Sequence, residues 1–378
     1  MLGNAKTSPE LLHRALDHPP PPTIVELGRF VANDLATVAN SFEAWDSIPI
    51  FAFGRQLVRK LRTADGKHGD TCRIAFERNG RRCSVDVSPA QLLDRSGKTQ
   101  RAHYPGPAEE LVVEVLYKLA AEHGHGFQPA PGVASVLFSH AMIRRHLKAH
   151  GHSRNHRDIS LSIEILQGAR VAVREEGRSE PIYLGAVLPQ VFPARRAARH
   201  SQEKLWIAEL PAPVAEAIGD LSYRQISYSR VMAFKAPLAK WIYKRMVARW
   251  IQASMVNDYH FSARLLDGSG LLQHGRALRR RQIVVQALEE LKARGVIMCW
   301  DVRHTYGGRA GRQVVDSVYT IHATPAFVAE QKAANKRARL ARTSLAEGTF
   351  GRVRHETEDT EGWPPSRRDR VRRAGASR

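Results

Sequence analysis

The residues best suited to chemistry lie in the segment RALRRRQIVVQALEELKARG, residues 276–295. Its apolar residues recur at positions i, i+3, i+4 and i+7, a spacing that predicts a helix with one face turned towards a core. These core residues are Val284, Ala287, Leu288 and Leu291. The opposite face then presents arginine and glutamine side chains near the start of the helix. The residues concerned are Arg276, Arg279, Arg280, Gln282 and Gln286.

Arginine and glutamine are side chains that can read base edges, because arginine matches guanine O6 and N7 and glutamine matches adenine N6 and N7. In a helix-turn-helix protein, the N-terminal part of the second helix enters the major groove. We therefore expect this helix to bind DNA. The alternative is a solvated basic face. Against it, the three arginines 279–281 stand at the end of the helix where the dipole disfavours cations.

A glycine-rich loop is predicted after this helix. The strands VIMCWDVRHTY and DSVYTIHA are joined by GGRAGRQ, which contains Arg309 and Arg312. Glycines allow the backbone to approach a phosphate closely, so we expect these two arginines to bind DNA. A flexible hairpin tip is the alternative.

A similar order of elements is predicted earlier in the chain. A helix runs from about Ser139 to His150, a turn lies at Gly151, and a second helix runs from about Arg157 to Gln167. The second helix has the core residues Ile159, Ile163 and Leu166. The exposed positions that could bind DNA are Arg154, Asn155, His156, Arg157 and Ser160. DNA binding and a role in pairing two protein chains both remain open for these residues.

Other reactive residue types form no convincing site. Four histidines lie between His146 and His156, but no cysteine or carboxylate nearby completes a tetrahedral metal set. The run Gly97–Thr99 lacks the upstream glycine of a phosphate-binding loop. The three cysteines are widely spaced and predict neither a disulfide framework nor a zinc site. We expect no enzymatic activity, no metal and no cofactor.

The charge balance favours a polyanionic partner. The 378-residue chain has 58 lysines and arginines against 37 aspartates and glutamates, which gives a formal net charge of +21. Nucleic acid is the first candidate. An anionic membrane surface is the second, but the sequence has neither a long apolar run nor a signal-peptide pattern. We expect a cytoplasmic protein that does not bind membranes.

These elements predict an α+β fold with two tandem winged-helix domains. Residues 1–105 form an N-terminal extension with a β-hairpin at Asn79–Gly80, because this dipeptide accepts the positive φ of a tight turn. Residues 106–235 and 236–325 form the two winged helices. Residues 326–378 form a basic, mostly disordered tail in which a short helix at the start is possible.

The sequence also resembles plasmid replication initiator proteins, of the kind that bind repeated origin sites through tandem winged helices. The segment Tyr104–Ala120 resembles their opening helix, and Ser222–Met246 resembles their junction between two winged helices. The likeness in the junction depends on the spacing of Tyr223, Tyr228, the run Ala-Pro-Leu-Ala, and Trp241-Ile242-Tyr243. It extends over about Tyr104–Thr324 and depends on order and pattern.

The resemblance implies binding of double-stranded origin DNA at repeated sites, melting of a neighbouring AT-rich segment, and recruitment of the host initiator and replicative helicase. It also implies a homodimer formed through the first winged helix. Two alternatives remain open. One is a transcriptional repressor of a plasmid or phage origin with the same two domains. The other is a rolling-circle nicking enzyme, which needs a metal-bound histidine pair and a catalytic tyrosine that the sequence does not clearly offer.

Overall fold

The computed structural model describes residues 37–61, 69–93, 97–122, 125–130, 132–194, 203–272, 276–307 and 313–346. Its helices are α1 (Glu43–Asp46), α2 (Arg55–Leu61), α3 (Pro107–Ala120), α4 (His140–Ala149), α5 (His156–Gly168), α6 (Ala212–Gly219), α7 (Tyr228–Ala233), α8 (Pro237–Arg249), α9 (Ala263–Asp267), α10 (Ala277–Ala293) and α11 (Pro325–Ala346). Its strands are β1 (Val38–Ser41), β2 (Cys72–Arg78), β3 (Arg81–Ser88), β4 (Ala90–Leu93), β5 (Gln100–His103), β6 (Gly126–Ala130), β7 (Val133–Phe138), β8 (Arg170–Glu175), β9 (Tyr183–Ala186), β10 (Val191–Pro193), β11 (Trp206–Glu209), β12 (Arg224–Ser227), β13 (Tyr259–Ser262), β14 (Ile297–Gly307) and β15 (Gln313–Ala323).

The fold is α+β, as predicted, with small antiparallel sheets packed against helices. The C-terminal half contains the succession α8, β13, α9, α10, β14 and β15, and its sheet has the order β13-β15-β14. This succession of a helix, a strand, two helices and a final hairpin is the order of a winged helix. Phe261 and Ser262 belong to β13, and the Ser262 side chain caps α9 by accepting a hydrogen bond from the Leu265 amide.

The N-terminal half contains the packed helices α3, α4 and α5, followed by the strands β8 and β9. Helix α4 is capped by Ser139, whose hydroxyl accepts from the Met142 amide, and α5 is capped by Asn155. The predicted core residues of α5 are buried: Ile159, Ile163 and Leu166.

The hairpin predicted at Asn79–Gly80 is present and joins β2 to β3. Asn79 and Gly80 have φ of +51° and +75°, as a tight hairpin turn requires. Strand β3 also pairs with β8, so the sheet has the order β2-β3-β8-β9. The hairpin that the sequence placed in an extension is therefore part of the same sheet as β8 and β9 of the first predicted winged helix.

Buried charges connect the two halves. The Lys244 ammonium on α8 donates to Glu114 of α3 at 2.6 Å and to Asp46 of α1 at 2.9 Å. Beside it, the Lys240 ammonium lies 3.0 Å from a Glu110 carboxylate oxygen. Burial by itself lowers the pKa of Lys244, but the charges of Asp46 and Glu114 outweigh burial and raise it. The ammonium is therefore charged, and removal of one carboxylate would leave it poorly compensated.

Helix α11 is longer than the short helix that the sequence allowed at the start of the tail. It has 22 residues, and its inward face buries Phe327, Val328, Gln331 and Ala334. The Thr324 hydroxyl accepts from the Phe327 amide at the start of the helix. The four positions i, i+1, i+4 and i+7 form one helical face, which packs near β12. The remainder of the predicted tail, residues 347–378, lies outside the described residues.

None of the helices within the described ranges is long and apolar enough to cross a membrane.

Candidate nucleic-acid interface

Helix α10 is attached to the protein body at its C-terminal end. Its four predicted core residues, Val284, Ala287, Leu288 and Leu291, are buried as expected. The Glu290 carboxylate accepts from the backbone amides of Lys235 at 2.7 Å and of Ala236 at 2.9 Å, just before α8. The Arg294 guanidinium donates to the carbonyl of Ala233 at 2.9 Å. These bonds fix the helix against the junction between α7 and α8.

The sequence pattern did not predict Glu290 as a positioning residue. The signal was nevertheless present, because a glutamate in the last turn of a helix lies where the dipole disfavours an anion. Such a position requires a partner, and here the partner is the amide end of α8.

The N-terminal half of α10 presents the predicted polar face to solvent. Arg276 is the N-cap residue, and Arg276, Arg279, Gln282 and Gln286 are all exposed. The Arg279 Nη1 donates to Gln282 Oε1 at 3.2 Å, so the two side chains lie together one turn apart. This pair could present donors and an acceptor to base edges.

The three consecutive arginines of α10 point in three directions. Arg279 faces outward beside Gln282. Arg280 is half-buried, and its Nη1 donates to Asp267 Oδ1 of α9 at 3.1 Å. Arg281 lies near Tyr319 of β15: burial raises the pKa of that phenol, and the Arg281 charge opposes the increase. Of these three side chains, Arg279 is therefore the one best placed to reach a base pair.

The hairpin β14–β15 stands beside α9 and α10. Arg303 of β14 is exposed and adds a positive charge to this hairpin. The predicted contacts Arg309 and Arg312 lie outside the described residues, in 308–312.

In the N-terminal half, two of the predicted DNA-binding side chains are engaged within the protein. Asn155 Oδ1 accepts from the Asp158 amide at 2.9 Å as the cap of α5. The Ser160 hydroxyl lies 3.2 Å from His140 Nε2 and donates to the His156 carbonyl at 3.2 Å. Arg157 is exposed and Arg154 is half-buried. Compared with α10, the start of α5 therefore presents fewer side chains that could read bases.

Two histidines stack at the starts of α4 and α5. The rings of His140 and His156 have centroids 4.3 Å apart at an interplanar angle of 29°. Burial, together with the charges of His156 and Lys204, lowers the pKa of His140. The stack is a packing contact between α4 and α5. In the described part of the chain, no group of three or more His, Cys, Asp or Glu side chains could hold a metal ion.

Comparisons with known proteins found solved structures but no sequence relatives. No protein family and no curated protein matches the sequence. The chain is similar to domains 2 and 3 of RctB in a selenomethionine crystal structure, with 12% identity and a TM-score of 0.42 over 75% of this chain and 98% of that one. A second crystal structure of RctB domains 2 and 3 has 11% identity and a TM-score of 0.39, over 74% and 99% of the two chains.

The third solved structure is the Pi initiator protein in complex with iteron DNA. It has 11% identity and a TM-score of 0.38, over 58% of this chain and 91% of that one. The likeness to all three is distant.

Proposed function

We propose that this chain is a sequence-specific DNA-binding protein that initiates replication at an origin with repeated sites. The observation that carries the proposal is the N-terminal face of α10, where Arg279, Gln282 and Gln286 are exposed on a helix that is fixed at its other end. Double-stranded DNA is the polyanion that this face fits, because an α-helix enters the major groove and these side chains match purine edges.

The arrangement around α10 supports the same ligand. Arg276 at the helix start and Arg303 on the adjacent hairpin are both exposed and add positive charge to the two elements that carry the proposed interface. Backbone phosphates would lie on both sides of a helix in the major groove, and arginines there would set its register without reading sequence. The proposed ligand is of the same kind as the iteron DNA in the Pi complex.

The finer steps come from the resemblance of the sequence to plasmid replication initiators. We propose that the protein helps to open an AT-rich segment beside its binding sites and recruits the host initiator and replicative helicase. We also propose that two copies pair through the N-terminal half, and that the chain has no enzymatic activity of its own. Incubation of supercoiled plasmid with the protein and magnesium or manganese tests the last point, since a nicking enzyme would relax it.

Footprinting on the DNA that flanks the gene tests the main proposal. We expect direct repeats of near-constant spacing to be protected by the wild-type protein and to lose protection with the variant Arg279→Ala/Gln282→Ala. A single inverted repeat would instead favour a repressor and contradict initiation. Equal weak protection of all sequences would contradict specific DNA binding.

A further inference from the structure

The exposed N-terminal face of α10, with Arg279, Gln282 and Gln286, is called the reading face below. It also carries two apolar side chains. Leu278 is 69% exposed and Val285 is 43% exposed, although the four core residues of the same helix are almost completely buried. A single exposed leucine is common in proteins and requires no explanation. These two residues, however, lie seven positions apart and therefore stand two turns apart along one line of the helix.

Two lines of side chains run along this face on either side of Gln282. At 100° per residue, Leu278 and Val285 form one line, and Arg279 and Gln286 form the other. Seven residues span about 10.5 Å of helix, which corresponds to roughly three base-pair steps of about 3.4 Å. The apolar line and the polar line therefore cover the same short stretch of a groove.

The major groove contains one apolar group among its hydrogen-bonding edges, the C5-methyl of thymine. If the polar line contacts purine edges, the apolar line faces base positions next to those purines in the same groove. We propose that Leu278 and Val285 read thymine methyl groups, so that the site bound by α10 contains thymines about three steps apart beside the purines contacted by Arg279 and Gln286. This inference rests on the proposed function, and it names two specificity-determining residues and the base that each prefers.

The test removes one methyl group at a time from the DNA. The full-length protein first selects a site from random double-stranded DNA, and each dT of that site is then replaced by dU, which lacks only the methyl. We expect wild-type affinity to fall about fourfold at one dT for each apolar residue, because burial of one such group is worth about 0.8 kcal/mol. Val285→Ala should bind the original site about fourfold more weakly and should be insensitive to dU at its own position.

The matched control is Val256→Ala. Val256 is 94% exposed in the segment between α8 and β13 and does not belong to α10, so this variant should respond to dU as the wild type does. Leu278→Ala tests the first position in the same way, and unchanged thermal unfolding of each variant establishes that the fold is intact.

If replacing dT by dU lowers the affinity of both apolar variants by the same factor as it lowers the wild-type affinity at every position, methyl reading is overturned while specific binding stands. A wild-type protein that selects no site overturns the proposed function together with this inference.

Discussion

The Arg279 guanidinium donates a hydrogen bond of 3.2 Å to the Gln282 side chain, one turn further along the solvent side of α10. The bond restricts the rotamers of both residues before any ligand binds, so less conformational entropy is lost when they meet a base pair. The neighbouring Arg280 is held by Asp267 of α9. Residue type alone therefore does not assign a role to each arginine of this helix.

The substitution Arg279→Ala should weaken binding to the specific site by roughly tenfold to a hundredfold and relax the preference at one guanine, because a bidentate arginine contact is worth about 1–3 kcal/mol. Arg279→Lys is the matched control, since it keeps the charge but loses the bidentate geometry. Competition binding against sites substituted at each base measures both variants. If Arg279→Ala weakened binding to all sequences equally and Arg279→Lys kept the wild-type affinity, Arg279 would contact a phosphate and not a base.

His322 on β15 is a second residue whose charge can be tested. Its Nε2 lies 3.0 Å from Asp301 Oδ2, and its Nδ1 lies 2.8 Å from Asp258 Oδ1. The hydrogen bond with Asp301 and the nearby Asp258 raise the pKa of His322. A histidine with a raised pKa stabilises the fold fully below its unfolded pKa of about 6.5, and this stabilisation is lost as the pH rises through the higher folded value.

We therefore expect the difference in Tm between the wild type and His322→Asn to be largest near about pH 5.5 and to shrink towards about pH 8.5. The measurement is thermal unfolding of both proteins across this range. His260→Asn is the control, because the His260 Nδ1 of β13 contacts a neutral group, the Thr320 hydroxyl, in the same sheet. A difference that grew with pH would contradict a protonated His322.

At the scale of elements, the loop that leads from α9 towards α10 is fixed against the N-terminal sheet. The Glu77 amide of β2 donates to the Gly268 carbonyl at 2.7 Å. Gly270 has φ of +71°, and a Cβ there would lie 2.8 Å from both the Ile74 and Pro49 side chains. Both the backbone conformation and the close approach require glycine.

Gly270→Ala should lower the free energy of unfolding by about 1–3 kcal/mol, from positive φ and overpacking together. Two alanine variants separate these causes. Gly151→Ala also stands at positive φ (+79°) but has open space around it, whereas Gly219→Ala has neither constraint and should be close to neutral. Denaturant unfolding of the three variants gives the comparison. Equal effects at Gly270 and Gly151 would mean that the close contact contributes nothing.

The attachment of α10 to α8 can be tested through Glu290. Glu290→Ala removes the acceptor of two backbone amides, and loss of such charged hydrogen bonds should cost about 1.5–3 kcal/mol of stability. Glu290→Gln keeps one acceptor oxygen and should lose less. The exposed neighbour Glu289 is the matched control, because Glu289→Ala removes a charge from the same turn. Equal stability of the two alanine variants, measured by denaturant unfolding, would contradict the anchoring role.

At the scale of the whole molecule, the net charge of +21 sets how binding should depend on salt. Each phosphate neutralised by a lysine or arginine releases counterions, so the logarithm of the affinity should fall linearly with the logarithm of the salt concentration, by about 0.9 per contact. Titration at several salt concentrations measures the slope. An affinity that did not change with salt concentration would contradict the proposal that this protein binds DNA.

The two halves of the molecule should unfold together. Lys244 of α8 is enclosed by Glu114 of α3 and Asp46 of α1, and Arg249 at the end of α8 contacts Glu43 and the Asn79 side chain of the hairpin turn. Most buried apolar side chains of both halves also belong to one continuous core. These contacts give α10 a fixed position relative to the N-terminal sheet.

The sequence by itself determined what depends on neighbours along the chain. The spacing of Val284, Ala287, Leu288 and Leu291 identified the buried face of α10, and Asn79–Gly80 identified the hairpin, because a helical stripe and a tight turn are local properties. The cap role of Asn155 was also open to prediction from the residue that precedes α5.

Only the tertiary structure decided which distant segments meet. The pairing of β3 with β8 joins residues far apart in the chain, and sheet pairing leaves no mark on local periodicity. The same holds for the partners of Glu290, the three directions of Arg279, Arg280 and Arg281, and the length of α11. These features depend on long-range packing, which gives each side chain its partner only when the chain has folded.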